Sequence, residues 1–338
     1  MNIVPFRRSR TSPAIHDQPG AGLDSEHLTP AAPDADAPAL TGATVIPQIV
    51  VGAPSPSVEP SPTAAQYRSV PFRPDVTLDG WSTDTMTVRG VSQRGHLHRY
   101  NGAPRQDDFA VHHLPDGRVL VLVADGVSQS PQSHLGASIA IKQAAEWIRA
   151  NLGPHTADLD WSALIKNTAY ALNARAQTLF GLEEPDAVRA EQELATTLVC
   201  AIIEPTSRPG VLRAHLVAVG DSSAWVLTGG EFIEVLGGKT TLDGGVASSA
   251  VSALPYVPTQ LEPTGFDFFG DAVLLIGTDG IGDPLGTGQG SVGELFRDLL
   301  ERPYPPSLIE FAHAVDFSRE NFDDDRTLIA VWPKRIDS

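Results

Sequence analysis

Five Asp-Gly pairs occur along the chain, at 79–80, 116–117, 125–126, 243–244 and 279–280. Such a pair ordinarily marks a turn, because both residues tolerate positive φ. That reading suffices at Asp79, Asp116 and Asp243, which lie among polar, glycine or proline residues. At Asp125 and Asp279 the pair instead ends a long apolar run, VLVLVADG and AVLLIGTDG. A carboxylate at the end of a buried strand sits on the rim of a sheet, and two from different strands can face each other. Burying like charges together is costly unless a cation neutralises them. The donors are hard oxygens, which suit magnesium or manganese. Three more acidic positions flank apolar strands: Asp323-Asp324-Asp325 before RTLIAVW, Asp107-Asp108 before FAV, and Asp221 in AVGDSSAWV. Any one alone reads as a solvated charge run or a turn. Together they exceed what turn chemistry requires and read as a metal centre.

The elements that would position these acids follow from hydrophobic patterning. Phe109 to His113 and Arg118 to Ala124 are strand-like and joined by Leu-Pro-Asp-Gly, a hairpin. Helical spacing runs over 135–152, stopping at Gly153-Pro154, and over 161–180, stopping at Gly181. Strands are expected at 195–203, 212–219, 224–227, 272–276 and 327–332, and helices at 291–301 and 306–320. The stretches 181–193 and 237–266 read as flap or loop regions that govern access. Strands and helices come in clusters rather than in βαβ alternation, which points to an α+β fold.

The 338 residues carry 24 Lys plus Arg against 41 Asp plus Glu, a net charge of −17. That balance excludes a nucleic-acid binder, which needs a basic stripe, and a polybasic membrane-surface protein. Cys200 is the single cysteine, so an intramolecular disulfide and a cysteine-based zinc site are excluded, and a core role is expected for it. No apolar h-region follows MNIVPFRRSR and no run is long enough to span a bilayer, so the expected location is the cytoplasm. Residues 1–80 hold 13 of the 28 prolines and three of the 22 aromatics. They read as a disordered Pro-rich tail, with PSPSVEPSP (54–62) favouring polyproline II and Ser9, Thr11 and Ser12 as candidate phosphosites. Residues 81–338 read as the folded domain.

Six pieces in order, GAPRQDDF (102–109), VADGVS (123–128), ATTL (195–198), VGDSSAW (219–225), GTDGIGD (277–283) and DDRT (324–327), resemble the metal-dependent protein phosphatases of type 2C, the PPM family. The GxPxQD form of the first piece is similar to a bacterial branch of that family. The resemblance implies a four-layer α-β-β-α sandwich, two antiparallel sheets flanked by helix pairs. It implies two divalent cations, Mn2+ or Mg2+, with Asp125 shared between them and the Gly126 carbonyl on one. Asp279 and Asp324 would complete the other shell, and Asp221 a third, weaker site. Asp107 and Asp125 would position the metal-bridging water, with Gln106 and Asp283 as orienting neighbours. The implied reaction is hydrolysis of phosphoserine or phosphothreonine on protein substrates by a monomer, with a cognate Ser/Thr kinase as partner.

The match departs from the better-known family form in three places. The phosphate-holding arginine five residues before the first-motif aspartate is Gly102 here; Arg105 and Arg99 are nearby and are read either as its replacement or as loop residues. Gln106 stands for a common glutamate, and Val127 for a histidine proposed as general acid in some members. His96, His98 and His134 lie near the motifs and read as surface or satisfied histidines. These departures keep open a second reading, a PPM-fold regulatory or binding module with weak or no catalysis. A haloacid-dehalogenase-type phosphatase, suggested by the DGxxD pattern Asp279 to Asp283, is excluded because Asp125-Gly126-Val127 lacks the second acid or threonine of a DxD or DxT nucleophile motif.

Overall fold

Alternation of buried side chains along the central strands produces a layered architecture. The computed structural model describes residues 48–55, 74–237 and 252–334. The strands are β1 (Val76–Ser82), β2 (Met86–Gln93), β3 (Asp108–His113), β4 (Val119–Ala124), β5 (Leu198–Pro205), β6 (Val211–Val219), β7 (Ser223–Thr228), β8 (Glu231–Leu236), β9 (Thr264–Phe269), β10 (Val273–Gly277) and β11 (Arg326–Pro333). One sheet has the order β1-β2-β11-β10-β7-β8 and the other β3-β4-β5-β6-β9, with every pairing antiparallel.

In β4, Val119, Val121 and Val123 enter the core between the sheets, while Leu120, Leu122 and Ala124 face the other way. That outer face is covered by α2 (Ser133–Asn151), α3 (Trp161–Phe180) and α4 (Ala187–Leu194), through Ile141, Ile148, Leu164, Leu172 and Leu194. In β11, Ile329 and Val331 face the inter-sheet core, whereas Leu328, Ala330 and Trp332 meet α5 (Asp279–Leu285), α6 (Ser291–Leu300) and α7 (Leu308–Val315). A strand buried on both faces has this dual alternation. Two helical layers over two antiparallel sheets make the α-β-β-α sandwich. A short helix, α1 (His96–Asn101), links β2 to β3.

Several elements differ from the sequence expectation. Folded structure begins before residue 81: β1 spans Val76–Ser82, and residues 48–55 run beside 318–320. Asp79-Gly80 is not a turn but lies mid-strand, opposite Gly90 and Arg89. Within the stretch read as a flap, Asp186 caps α4 by accepting from the Val188 and Arg189 amides, and Ala190 is buried against the helix pair. The helix expected over 306–320 stops at Val315. The rest of the expected tail, 1–47 and 56–73 with Ser9, Thr11 and Ser12, lies outside the described residues, as does the Asp243-Gly244 turn. Cys200 is fully buried against the helices.

Because the layer around Val121 is buried and apolar, a polar atom added there has no side-chain partner. Val121→Thr, nearly isosteric, is expected to destabilise the protein by ~1–3 kcal/mol, read as a lower urea midpoint at unchanged slope.

Candidate active site

At one end of the sandwich the inter-sheet layer changes from apolar to polar without changing parity. The inward set of β3 (Phe109, Val111) continues backwards to Asp107, and that of β4 (Val119, Val121, Val123) continues to Asp125. Likewise β5 leads to Thr197, β7 to Ser222, β10 to Thr278, β11 to Thr327 and Asp325, and β2 to Ser92. Hydrogen bonds join the two sheets here. Thr278 Oγ1 and Thr327 Oγ1 lie 2.8 and 2.7 Å from Asp107 Oδ2, and Thr197 Oγ1 lies 2.8 Å from Ser222 Oγ. The Asp125 amide donates to Thr197 Oγ1 at 2.9 Å, and its carbonyl accepts from Thr197 N at 2.7 Å. These bonds fix the end of β4 and thereby the direction of the Asp125 carboxylate.

Above this floor opens a cleft of about 670 Å³ lined by Asp125, Asp221, Asp279 and Asp324. Its wall carries Ser128, Gln129 and Ser130, with Val188, Glu191 and Gln192 from α4 beside them, Ser130 Oγ donating to the Glu191 carbonyl at 3.0 Å. Both Asp-Gly glycines serve close packing. A Cβ on Gly126 would lie 2.9 Å from Ser133 at the start of α2, and one on Gly280 would lie 1.8 Å from the Asp325 carbonyl oxygen. The pairs at 125 and 279 thus let a helix start directly against the acidic rim.

Burial, then the charges of Asp107, Asp279 and Asp324, hold the Asp125 carboxyl well above the carboxylate range. Burial, then Asp325, does the same to Asp107, against the donated Thr327 and Thr278 hydroxyls. Asp324 is raised by burial and by Asp325. Asp325 goes the other way. Burial opposes its charge, but His98 Nδ1 at 2.9 Å and the Gln106 and Gly95 amides outweigh burial and lower its pKa. Burial acts against the charge on His98 as well, yet Asp325 prevails and raises it to about 9. A buried imidazolium–carboxylate pair therefore sits beneath the acidic cleft.

Several residues singled out by sequence lie elsewhere. Asp107 is 1% exposed and sits below the cleft, bonded to hydroxyls rather than lining it. Arg105 is buried and donates to Thr77 Oγ1 and the Pro74 carbonyl. Arg99 pairs with Asp316 at 3.3 Å. Neither arginine lines the acidic cleft, because β1 and the 316–323 loop engage them first. Gln106 is buried, and its backbone N–H donates to Asp325 Oδ2. Asp283 is exposed and borders a neighbouring hollow shared with Asp279 and Asp324. His134 is buried at the start of α2, and His96 lies 3.2 Å from Gln48. Sequence reasoning missed Thr278, Thr327, Thr197 and the His98–Asp325 pair. Extending the alternation of each strand by two residues finds the threonines; no local pattern signals a pair 227 residues apart (325 − 98).

Four layers with a carboxylate-lined cleft at the end of the central one are the architecture of metal-dependent protein phosphatases. Residues 94–311 match the family model for protein phosphatase 2C, and the chain belongs to that family. The fold is similar to a bacterial serine phosphatase, at TM-score 0.55 and 15% identity over 74% of this chain and 99% of that one. It is also similar to the serine/threonine phosphatase Stp1 from Staphylococcus aureus, at TM-score 0.54 and 16% identity over 76% of this chain and 97% of that one. No curated protein matches the chain.

Carboxyls raised by folding contribute stability at low pH and lose it as pH rises through their raised values; Asp107, Asp125 and Asp324 behave so. His98 stabilises fully below its ordinary 6.5 and loses that contribution as pH rises through about 9. Asp325 acts oppositely, losing its contribution only as pH falls through its lowered value. Protein kept in EDTA is therefore expected to melt lower at about pH 8 than at about pH 6. Asp125→Asn should flatten that difference and raise the pH 8 melting point by ~3 °C, the shift that about 1 kcal/mol produces in a domain of this size. Thr327→Val should cost ~1–3 kcal/mol by removing a hydroxyl from buried Asp107, read in the same melts.

Proposed function

We propose that this chain hydrolyses phosphoserine and phosphothreonine on protein substrates in a reaction dependent on two divalent cations, Mn2+ or Mg2+. The observation that carries this reading is the convergence of Asp125, Asp221, Asp279 and Asp324 on one cleft from separate strand ends. The donor set fits the group: all four side chains offer oxygen, and Asp125 and Asp279 lie within hydrogen-bond reach of each other. Two carboxyls so placed need a shared proton or a cation between them. Asp125, the Gly126 carbonyl, Asp279 and Asp324 would hold the two principal ions, and Asp221 a weaker third. When bound, the ions supply activation of a water and stabilisation of charge on the phosphoryl oxygens.

The chain's own residues set the geometry. Thr197 fixes the Asp125 backbone, and the start of α5 aims Asp279 into the cleft. Asp107 ties both sheets together beneath the acids. His98 and the Gln106 amide hold Asp325 and, with it, the chain that presents Asp324. Asp283 borders the hollow beside Asp279 and Asp324 and would orient them from outside. The α4 wall, with exposed Val188 and Glu191 and with Gln192, is the surface a peptide flanking the phosphoresidue would meet.

Among the described residues no Arg or Lys lines the cleft, so a phosphate's charge would rest on the cations. The same observation supports the competing reading, a binding or regulatory module of this fold with weak or no turnover. Among the described residues no helix is long and apolar enough to cross a membrane. A monomeric cytoplasmic enzyme opposing a Ser/Thr kinase is the setting this function implies.

Purified protein is expected to release phosphate from a phosphothreonine peptide with Mn2+ or Mg2+ and to stop in EDTA. Asp125→Ala and Asp279→Ala should each lower kcat by about a hundredfold or more. Manganese binding by calorimetry without turnover in any metal would establish the binding module instead. Arg105→Ala and Arg99→Ala should leave KM within about twofold, since neither faces the cleft, although Arg105→Ala should cost ~1–3 kcal/mol of stability.

A further inference from the structure

Residues 48–55 run parallel to the loop that leads from α7 to β11. Val51 N donates to the Ser318 carbonyl at 2.8 Å, Ser318 N to the Ile49 carbonyl at 2.7 Å, and Glu320 N to the Ala53 carbonyl at 2.7 Å. Val51 is buried among the side chains between the first sheet and α5–α7. The far end of the segment is pinned more tightly. Ser55 N donates to Ser318 Oγ at 2.9 Å, and Ser55 Oγ lies 3.1 Å from the Arg319 carbonyl and in a short hydrogen bond to Asp323 Oδ1. A hydroxyl has one proton, and the carboxylate is the stronger acceptor. The next residue, Asp324, lines the cleft.

The loop combines a left-handed turn with a run of acids. Asn321 adopts φ 68°, in the left-handed region that asparagine tolerates better than most residues. Asp323, Asp324 and Asp325 are consecutive like charges. The Ser55 hydroxyl draws the Asp323 carboxylate towards residues 48–55, while the Asp323 carbonyl accepts from the Leu97 amide at 3.0 Å. The loop is also tied by Arg326, which donates to the Phe317 and Phe322 carbonyls, and by Arg319, which donates to the Pro284 carbonyl; residues 48–55 are the part of this support that precedes the region matched by the family model, residues 94–311.

We infer that residues 48–55 form a strap that holds the 316–325 loop in the conformation presenting Asp324 to the cleft, with Ser55 as its positioning residue. The inference rests on the proposed role of Asp324 as a metal ligand. The strap makes part of the sequence before the phosphatase-like region a component of the site.

The test uses the full chain with Ser55→Ala, Ser55→Thr and Val51→Glu, and two measurements. Hydrogen exchange across 316–326 in EDTA reads the loop without any metal; calorimetry with Mn2+ alone reads the site. Ser55→Ala and Val51→Glu are expected to speed exchange in the loop and to weaken Mn2+ binding about tenfold, the effect typical of residues that orient metal ligands. Ser55→Thr, which keeps the hydroxyl, should restore both to within about twofold of the parent. Parental exchange in Ser55→Ala would overturn the strap. Faster exchange with unchanged Mn2+ affinity would overturn the positioning role. Absence of Mn2+ binding by the parent chain would instead remove the metal reading and leave the exchange result to decide the strap. Should Val51→Glu fail to fold, the Ser55→Ala and Ser55→Thr pair decides alone.

Discussion

Carboxylates crowd one end of the layer between two sheets, where burial weakens the solvent screening that normally makes their repulsion small. Much of the local structure answers that repulsion. Asp107 is met by two threonine hydroxyls, and Asp325 by an imidazolium and two backbone amides. Asp125, Asp279 and Asp324 face the cleft together. The division separates acids bonded into the floor from acids that line the cleft above it. Each inner acid is bonded to residues of the opposite sheet or of a segment distant in sequence, which ties the floor together beneath the charges above it.

The central strands were legible because their apolar runs are long and end in acids. VLVLVAD and LLIGTD place a carboxylate within two residues of a fully buried strand, and the positions follow once the sheets are assumed to stack. Peripheral elements were harder. β1 reads VTLDGWS, half exposed, with an Asp-Gly that resembles a turn, and β8 reads EFIEVL with little burial. Neither shows the continuous hydrophobicity that marks a doubly covered strand. For α4 the cue was present, a Pro185-Asp186 start before an amphipathic eight-residue segment, but its brevity made it resemble a loop.

One missed strand had consequences for the site. Arg105 reads as a candidate for a phosphate only while residues 74–80 read as tail. Its principal partner, Thr77, belongs to β1, which the composition of the first 80 residues had placed in the tail. A side chain's availability depends on elements far away in sequence, which local spacing does not report. The His98–Asp325 pair illustrates the same limit: an ordinary histidine becomes a buried cation only when α1 and the end of the acid loop meet.

The β3–β4 hairpin turns at residues 114–117, whereas Asp107 and Asp125 stand at the opposite end of the same two strands. Insertions at that turn would leave the parity of the strands, and hence the direction of both acids, untouched. A single-residue insertion within β4 would rotate everything beyond it to the other face and aim residue 125 at the helices. Length variation and fusion points should therefore be tolerated at the hairpin turn and excluded from the few residues between it and the site.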